Sequence, residues 1–533
     1  MKSPILSCAI ILILSLGALN GIYADSATWS TNPISTDWNT AANWTPNTVP
    51  NGPDDIATFG LSRHPHAFVS TDIEVNEIIF SAGARPFTIN AAVDQELTVS
   101  GIGVINNSGI AQNFVFPNFA GIALTNNATV GDMTFFTLRG GRRNNSSGGF
   151  VSFSGNASAG NGTFVLEPPL AKAYGGLVGF DGNSSAGNGT FMAQLASLLT
   201  FHGNSSAANG TFIVDGGRIE FGLLSTDTAT AGNGLFIINS GGVHFFYGTS
   251  AGNATLIANP GTNGGEGGRI SFENTAHDGG EARMELFGNG TLDIQFNFHD
   301  FVSVGSIEGD GFIELGTTNQ LITGANNLNT TFSGVIEEPG SLAKIGTGTL
   351  TLSGDNTYAG GTTIEDGTLL VANRGESATG SGPVSVTSGT LGGSGIIGGA
   401  TTVGTGGGTG AFLAPAGGTR TRATLTIQSS LTFNSDATYT YTYRAKKSTA
   451  KTDLVVANGV TINSGAILNF DGTINGRLTP GLVFTVLSNT SANPISGTFS
   501  NLPDGSTVVL AGNTFQANYE GGDGNDLTLT VVP

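Results

Sequence analysis

Residues 153–164 read Phe-Ser-Gly-Asn-Ala-Ser-Ala-Gly-Asn-Gly-Thr-Phe, and this motif returns at 180–191 with two changes and at 201–212 with three. Degenerate copies follow at 231–236, 251–256 and 288–292. The motif's second asparagine recurs at intervals of 27, 21, 24 and 20 residues, at Asn161, Asn188, Asn209, Asn233 and Asn253. A fixed unit of this length is typical of a solenoid, in which each repeat packs on its neighbours.

An interval in the low twenties fits one coil of a β-helix, in which a few short strands are joined by turns. Successive coils stack at about 4.8 Å, the spacing of paired strands. We expect the Phe at each end of the motif to point inward and to stack on its equivalents. The Gly-Asn-Gly segment supplies a positive-φ turn, and its asparagine can stack its amide along the rod. The sequence therefore predicts an all-β parallel β-helix or β-solenoid rod, with the motif repeats spanning 61–340.

The composition supports a folded chain of short strands and tight turns. Glycine accounts for 83 of 533 residues, and charged residues make up 11% against roughly 25% in ordinary globular chains. Apolar and aromatic residues remain frequent, which excludes the composition of a disordered chain. The net charge of −19 is spread thinly and disfavours nucleic acid as a partner, because phosphate binding needs clustered Lys and Arg.

The first residues predict export. Lys2 is followed by an apolar run at 10–16 and by small residues up to Ala24, which is the pattern of a signal peptide over 1–24. Cys8, the only cysteine, precedes the apolar run, so it cannot serve as a lipoprotein anchor. The mature chain therefore lacks disulfides and thiolate metal sites, and we expect no integral membrane segment after signal removal.

Residues 25–60 hold all three tryptophans of the chain, Trp29, Trp38 and Trp44. Solenoids need an atypical terminal unit to cover the exposed core, so we interpret this segment as an aromatic N-terminal cap. The alternative is a carbohydrate-binding platform, in which exposed indole rings stack on sugars.

Residues 346–358 read Gly-Thr-Gly-Thr-Leu-Thr-Leu-Ser-Gly-Asp-Asn-Thr-Tyr, and Gly-Gly-Thr-Thr-Ile and Gly-Thr-Leu follow at 360–364 and 367–369. This stretch resembles the autotransporter-associated β-strand repeat, also called the passenger-associated transport repeat, which we place at 341–372. Segments at 389–399 and 425–427 resemble the coils that follow that repeat. Residues 519–527 resemble the end of such passengers, so 373–533 is predicted to hold C-terminal coils and a closing module.

The resemblance implies a β-helical passenger that is secreted or displayed at the surface of a bacterium, with no catalytic residues to carry over. Self-translocating passengers continue into an outer-membrane barrel of amphipathic strands. The sequence stops at Pro533 without them. We therefore expect the passenger architecture without the C-terminal translocator barrel, and the export route is not implied.

One candidate metal site lies near the end of the chain, where Asp523 and Asp526 stand in Gly-Gly-Asp-Gly-Asn-Asp at 521–526. This looks like a calcium-binding nonapeptide, but such motifs bind calcium between tandem copies and only one is present. We interpret it as a turn into the last strand. His64 and His66 could share one strand side, but no third ligand lies nearby, so a surface strand or loop is favoured.

A second candidate is a group of carboxylates in the least regular segment of the repeats. A polysaccharide-cleaving β-helix would need several acids on one face of adjacent coils, for calcium binding or proton transfer. No basic partner lies among these acids, and Phe296, Phe298 and Phe301 nearby look like core residues. The candidate acids are Asp293, Asp300, Glu308, Asp310 and Glu314.

The sequence thus predicts a secreted or surface-exposed structural and adhesive protein without catalytic residues or cofactors. Its expected partner is an unknown surface or matrix ligand, with a polysaccharide as one candidate. The alternative is a polysaccharide-binding or polysaccharide-degrading β-helix protein. Fold alone does not decide between these functions.

Overall fold

A computed structural model describes residues 25–417 and 422–533. The predicted signal peptide, 1–24, lies outside the described residues. Within them the chain forms 47 β-strands and two single-turn 3-10 helices, Ala41–Asn43 and Thr262–Gly264. The predicted fold class is confirmed, because the strands wind into a β-solenoid of about 16 turns. None of the helices in the described part of the chain is long and apolar enough to cross a membrane.

Each coil presents three faces, which we call A, B and C in the order that the chain visits them. Parallel pairing carries each face from coil to coil. Strands confined to face A are Gly121–Leu124, Phe150–Phe153, Leu177–Phe180, Leu198–Phe201, Gly268–Glu273, Thr291–Asp293, Phe312–Glu314, Val335–Glu337, Ile396–Ile397, Thr424–Ile427, Leu454–Ala457 and Val483–Asn489.

Face B begins as strands, narrows to single bridged residues, one per coil, from Ser158 to Ser250, and widens into strands again further along the rod. Its strands are Thr129–Val130, Gln320–Thr323, Ser341–Lys344, Thr362–Ile364, Val384–Val386, Thr401–Val403, Leu431–Phe433 and Val460–Ile462. Face C comprises His66–Val69, Thr88–Ala91, Gln112–Phe116, Thr134–Leu138, Thr163–Leu166, Thr190–Gln194, Thr255–Ala258, Thr330–Phe332, Thr349–Leu352, Thr368–Val371, Gly389–Gly393, Ala411–Ala414, Ala437–Lys446 and Ile467–Asn475.

Seven strands bend around a corner and belong to two faces. They are Gly52–Phe59, Ile73–Phe80, Glu96–Asn106, Thr211–Phe221, Leu235–Phe246, Asp278–Leu286 and Phe301–Gly309. The remaining strands form the two ends of the rod and one hairpin: Ala27–Trp29, Trp44–Thr45, Thr449–Thr452, Thr507–Leu510, Asn513–Gly521 and Asp526–Val532. The predicted segment boundaries at 60, 340 and 372 stay predictions.

The phenylalanines of the motif build two ladders inside the rod, as the repeat predicts. On face C, Phe136, Phe164 and Phe191 stack with ring centroids 4.7 Å apart and planes within 7° of parallel. On face A, Phe153, Phe180 and Phe201 stack at the same spacing. Because the ring separation equals the spacing of paired strands, each ring contacts its equivalents in the neighbouring coils while the strands stay hydrogen-bonded in register.

The asparagines at the corner between faces B and C form a ladder of side-chain amides. Asn188 donates from Nδ2 to Oδ1 of Asn161 at 3.0 Å, and Asn209 donates to Asn188 at 3.3 Å. In the same way, Asn233 donates to Asn209 at 3.2 Å and Asn253 donates to Asn233 at 3.3 Å. The expected stacking of amides along the rod is confirmed.

One copy of the corner turn breaks the glycine pattern. The residue before the ladder asparagine has a positive φ in every copy, and it is Gly187 (φ 59°) in one coil but Ala208 (φ 49°) in the next. An L-residue in this left-handed region costs roughly 1–2 kcal/mol, whereas glycine adopts it freely.

We expect Ala208→Gly to raise the free energy of unfolding by about 0.5–1 kcal/mol, because the relief of strain exceeds the added entropy of the unfolded chain. The measurement is the urea midpoint followed by circular dichroism. Ala207→Gly is the matched control, since Ala207 is fully buried and should lose stability when its methyl group is removed. Equal shifts for the two variants would contradict the assignment of strain to Ala208.

Candidate functional site

A polar cleft of about 520 Å³ lies at the corner where face C of one coil passes into face A of the next. Glycine pairs of three successive coils form its floor: Gly216–Gly217, Gly241–Gly242 and Gly267–Gly268. A Cβ added at Gly242 would lie 2.6 Å from Nε2 of His244. The absence of side chains on the floor therefore makes room for the polar groups that line the cleft.

The length of the corner connections explains why the rod is open here. The connection 195–197 has three residues, and the bends at 215–217 and 239–241 within continuous strands are equally short. The connections 139–149, 167–176 and 259–267 have 11, 10 and nine residues. The first two long loops stack on each other, because Gly141 donates its N–H to the carbonyl of Tyr174 at 2.8 Å. Three corners with short backbone segments, which we call the low stretch, therefore lie between longer loops that rise above the surface on both sides.

The two ends of this low stretch differ in polarity. Tyr174 and Leu195 are 52% and 63% exposed beside the loop at 167–176. Backbone bonds place them in adjacent coils next to the floor, because Gly175 pairs with Ala196 and Ala196 pairs with Gly216. The opposite end is lined by Glu266, Arg269 and Asn289. The surface therefore has an apolar shelf, Tyr174 and Leu195, and a polar half.

Two arginines in this polar half are held in place by carboxylates. Arg218 and Arg269 occupy the same register position two coils apart. Arg218 Nε lies 2.6 Å from Oε1 of Glu220, and Arg269 binds both Asp293 and Glu314, the latter at 2.9 Å. Burial lowers the pKa of Arg269, but its bonds to Asp293 and Glu314 raise it more, so the guanidinium stays charged.

These pairings leave donors available to a ligand. Both Nη atoms of Arg218 and Nη1 of Arg269 have no hydrogen-bond partner among the described residues. The guanidinium groups are thus fixed in orientation and retain N–H groups at the edge of the cleft.

His244 contributes a third polar group and is oriented by Ser271 and Glu273. Its Nδ1 lies 2.7 Å from Ser271 Oγ and 2.9 Å from Glu273 Oε1. Burial raises the pKa of Glu273, but the bonds from His244 and Ser271 outweigh it, and the pKa lies below its usual value. Because Ser271 and Glu273 share one ring nitrogen, this trio lacks the arrangement that activates a serine nucleophile through opposite nitrogens of a histidine.

The candidate acids divide between two places. Asp293 and Glu314 meet at Arg269 on face A, whereas Glu308 binds Arg283 on face C. Asp300 and Asp310 are exposed in turns. The expectation that these acids lack basic partners is wrong, because both arginines come from the preceding coil, 24 or 25 residues upstream.

The assignment of neighbouring phenylalanines to the core is also wrong for two of the three. Phe296 and Phe298 are 57% and 78% exposed, and Phe301 is partly exposed. Asn297 points inward instead, where its Nδ2 donates to the carbonyl of Ala276. The alternation of the segment is real, but the opposite set of residues points inward, because the turn at 294–300 buries a hydrogen-bonded amide in place of a ring.

The tryptophans lie inside the N-terminal end of the rod. Trp29, Trp38 and Trp44 are at most 1% exposed; Trp44 packs edge-on against the other two indoles, and all three rings contact Phe59. Their indole N–H groups donate to backbone carbonyls, for example from Trp38 to Pro50 at 3.0 Å. The rings therefore offer no face to a sugar, and the carbohydrate-binding alternative for these three residues is wrong.

The pair Asp523 and Asp526 is split by the structure. Asp523 is exposed in the turn, while Asp526 begins the last strand and accepts a hydrogen bond from the N–H of Asn489 at 2.9 Å. Burial raises the pKa of Asp526. Asp526 thus ties the closing strand to its neighbour. In the described ranges no group of three or more His, Cys, Asp or Glu side chains could hold a metal, and this includes the surroundings of His64 and His66.

The stretch 342–371 matches the sequence model of the family described as Passenger-associated-transport-repeat. The chain carries a passenger-associated transport repeat. Its residues fall on faces B and C of two adjacent coils, in the strands Ser341–Lys344, Thr349–Leu352, Thr362–Ile364 and Thr368–Val371. The resemblance read from these residues is thereby confirmed.

Two similar proteins are adhesins. Over 104 residues, or 18% of this chain, the sequence is 40% identical to the Adhesin BmaC autotransporter of Brucella suis biovar 1 (strain 1330). The match covers 3% of that adhesin. Among solved structures, the Hap adhesin of Haemophilus influenzae aligns with 91% of this chain and 65% of its own, at 11% identity and a TM-score of 0.30. This likeness is too low to equate individual residues.

The protein is an autotransporter-passenger-like repeat protein and is secreted or exposed at the cell surface. The cleft at the C–A corner lies upstream of the matched repeat, and sequence reasoning missed it. The available signal was the repeat interval, which drops from 27 to 21 residues where the long corner loops end.

Proposed function

We propose that this protein is a structural and adhesive rod that attaches to a component of a cell surface or matrix and catalyses no reaction. The carrying observation is the solenoid itself, which runs from an aromatic cap at Trp29 to an antiparallel closing sheet ending at Val532. Such a rod presents a long side surface on which a ligand can bind. The repeat at 342–371 and the similarity to an adhesin support this role.

The polysaccharide-degrading alternative draws on the proximity of Asp293 and Glu314. Both carboxylates are engaged by the guanidinium of Arg269, whose Nη2 lies 2.9 Å from Oε2 of Glu314. A pair of catalytic carboxylates must contact the scissile bond of the substrate and exchange protons with it. Carboxylates that already bind the same arginine are poorly placed for that task, so we favour the adhesive function.

Bead attachment tests the proposal. We expect beads coated with residues 25–533 to attach saturably to bacterial or host cell layers, and free protein to compete with them. Beads coated with the heat-denatured chain are the control. In parallel, the protein should release no reducing sugar from plant or bacterial polysaccharides with or without calcium. Release that Asp293→Asn abolishes, or attachment equal to the denatured control, would contradict the adhesive assignment.

A further inference from the structure

We propose that the cleft at the C–A corner binds a neutral saccharide chain, which lies along the rod from Tyr174 and Leu195 to Arg269. This inference rests on the adhesive function and names the chemical class of its ligand. It assigns to the corner of the rod the sugar recognition that the buried tryptophans cannot provide.

The dimensions of the low stretch suit an extended ligand. The coils of Leu177, Leu198, Arg218, Gly242 and Arg269 succeed one another in register. Four steps of about 4.8 Å therefore separate the first coil from the last, or about 19 Å along the axis. The raised loops at 167–176 and 259–267 mark the two ends. This length accommodates several sugar units in a row.

The chemistry of the lining suits a sugar. A sugar ring has an apolar face of C–H groups and a rim of hydroxyls. Exposed Tyr174 and Leu195 can cover the apolar face, because an aromatic ring supplies rigid apolar area with a polar tip. Arg218 and Arg269 supply fixed planar N–H groups for the hydroxyls, and Nε2 of His244 adds a further polar ring atom. Ligand sites commonly combine such an apolar wall with a few convergent polar groups.

The local charge favours a neutral ligand over an acidic one. The two arginines of the cleft are already paired with Glu220, Asp293 and Glu314, and His244 is paired with Glu273. Glu266 adds a further carboxylate to the lining. Carboxylates thus outnumber guanidinium groups, so a polyanion would be repelled. Hydroxyl groups have no net charge, and they can donate to the carboxylates while accepting from the arginines.

Affinity electrophoresis of residues 25–533 through gels that contain a soluble polysaccharide tests this inference. The panel consists of neutral β-glucan, galactomannan, xyloglucan and α-glucan, with acidic pectate and alginate beside them. We expect retardation by at least one neutral polymer, and an affinity that changes less than twofold when NaCl is raised from 50 to 500 mM. Retardation by acidic polymers alone, loss of retardation at high salt, or no retardation by any neutral polymer would overturn the proposal.

Variants then place the binding in the cleft. Tyr174→Ala and Arg218→Ala should each weaken the affinity by tenfold or more, because both residues are exposed and their removal leaves the core intact. Leu223→Ala and Arg444→Ala are the matched controls, since these residues are exposed elsewhere on the rod and should bind as the wild type does. Unchanged affinity in both cleft variants, with unchanged thermal unfolding, would overturn the proposal.

The bead assay separates failure of the cleft from failure of the adhesive function. If Arg218→Ala beads attach as wild-type beads do, the saccharide site is not the adhesive one and the inference fails, while the adhesive function stands. If wild-type beads do not attach at all, the adhesive function itself fails.

Discussion

Phe136→Ala is expected to lower the free energy of unfolding by about 3–5 kcal/mol, the range for removing a buried aromatic ring from a packed core. Phe136 is fully buried and lies between Phe114 and Phe164, with ring centroids 4.8 and 4.7 Å away. The rod is narrow, and both neighbours are fixed by their own strands. The surrounding coils therefore cannot close the cavity by moving together, and the loss should lie toward the upper part of this range.

The chain offers a control at the next position. Phe135 belongs to the same strand, Thr134–Leu138, but points outward and is 36% exposed. Phe135→Ala should cost clearly less, roughly 1–2 kcal/mol, because about a third of the residue is already exposed to water and its truncation opens no enclosed cavity. Urea midpoints by circular dichroism compare the two variants, and limited proteolysis should detect cleavage near the coil of Phe136 alone. Similar midpoints for both variants would contradict the view that the inner ring ladder holds the coils together.

The sequence predicts the parts of the fold that repetition specifies. Equivalent positions in successive coils share one environment, so the inward Phe and the stacked Asn could be assigned from three copies of one motif. The turn before the last strand, which begins at Asp526, is predicted by its glycines instead. The assignments of Phe and Asn use local periodicity, and the solenoid converts that periodicity directly into contacts between neighbouring coils.

What could not be predicted depends on contacts between coils of different length. Arg269 lies 24 residues before Asp293 and meets it because the coil at this point is 22 residues long, which pairs Arg269 with Thr291 and brings Asp293 to the same face two residues further along the strand. The segment 294–300 is irregular, so alternation alone does not show which of its residues point inward. The sequence predicts Phe296 as a core residue, whereas Asn297 is the buried one. The cleft arises from a difference in loop length among neighbouring coils, which no single motif contains.

A buried lysine in the passenger-associated transport repeat illustrates the same limit. Lys344 is 1% exposed, although a lysine after Leu-Ala in a strand gives no sign of burial. Its Nζ donates to the carbonyls of Ile345, Gly346 and Asp366 at 2.7, 2.8 and 3.3 Å. A Cβ at position 367 would lie 2.9 Å from this nitrogen, so Gly367 is required beside it. The ammonium group thus joins two adjacent coils through their turns.

This burial makes the stability of the rod depend on pH. Burial lowers the pKa of Lys344 to about 8, with Asp366 opposing the shift. The unfolded chain keeps its proton up to a pKa of about 10.4, so between these values the unfolded state binds more protons than the folded state. Stability contributed by this group therefore rises with pH across the window. At about 1.4 kcal/mol per pKa unit, the gain between pH 7 and pH 9.5 is about 2 kcal/mol.

Lys344→Met removes the titrating group while keeping an unbranched side chain of similar length. The difference in unfolding free energy between the wild type and this variant should shift by about 2 kcal/mol in favour of the wild type between pH 7 and pH 9.5. All other titrating groups are common to both chains, so their contributions cancel. Urea unfolding at the two pH values measures the difference. Lys451→Met is the control, because Lys451 is exposed and its removal should leave the pH dependence unchanged. A gap between wild type and Lys344→Met that stays constant with pH would show that Lys344 keeps its proton throughout, held by the three carbonyls.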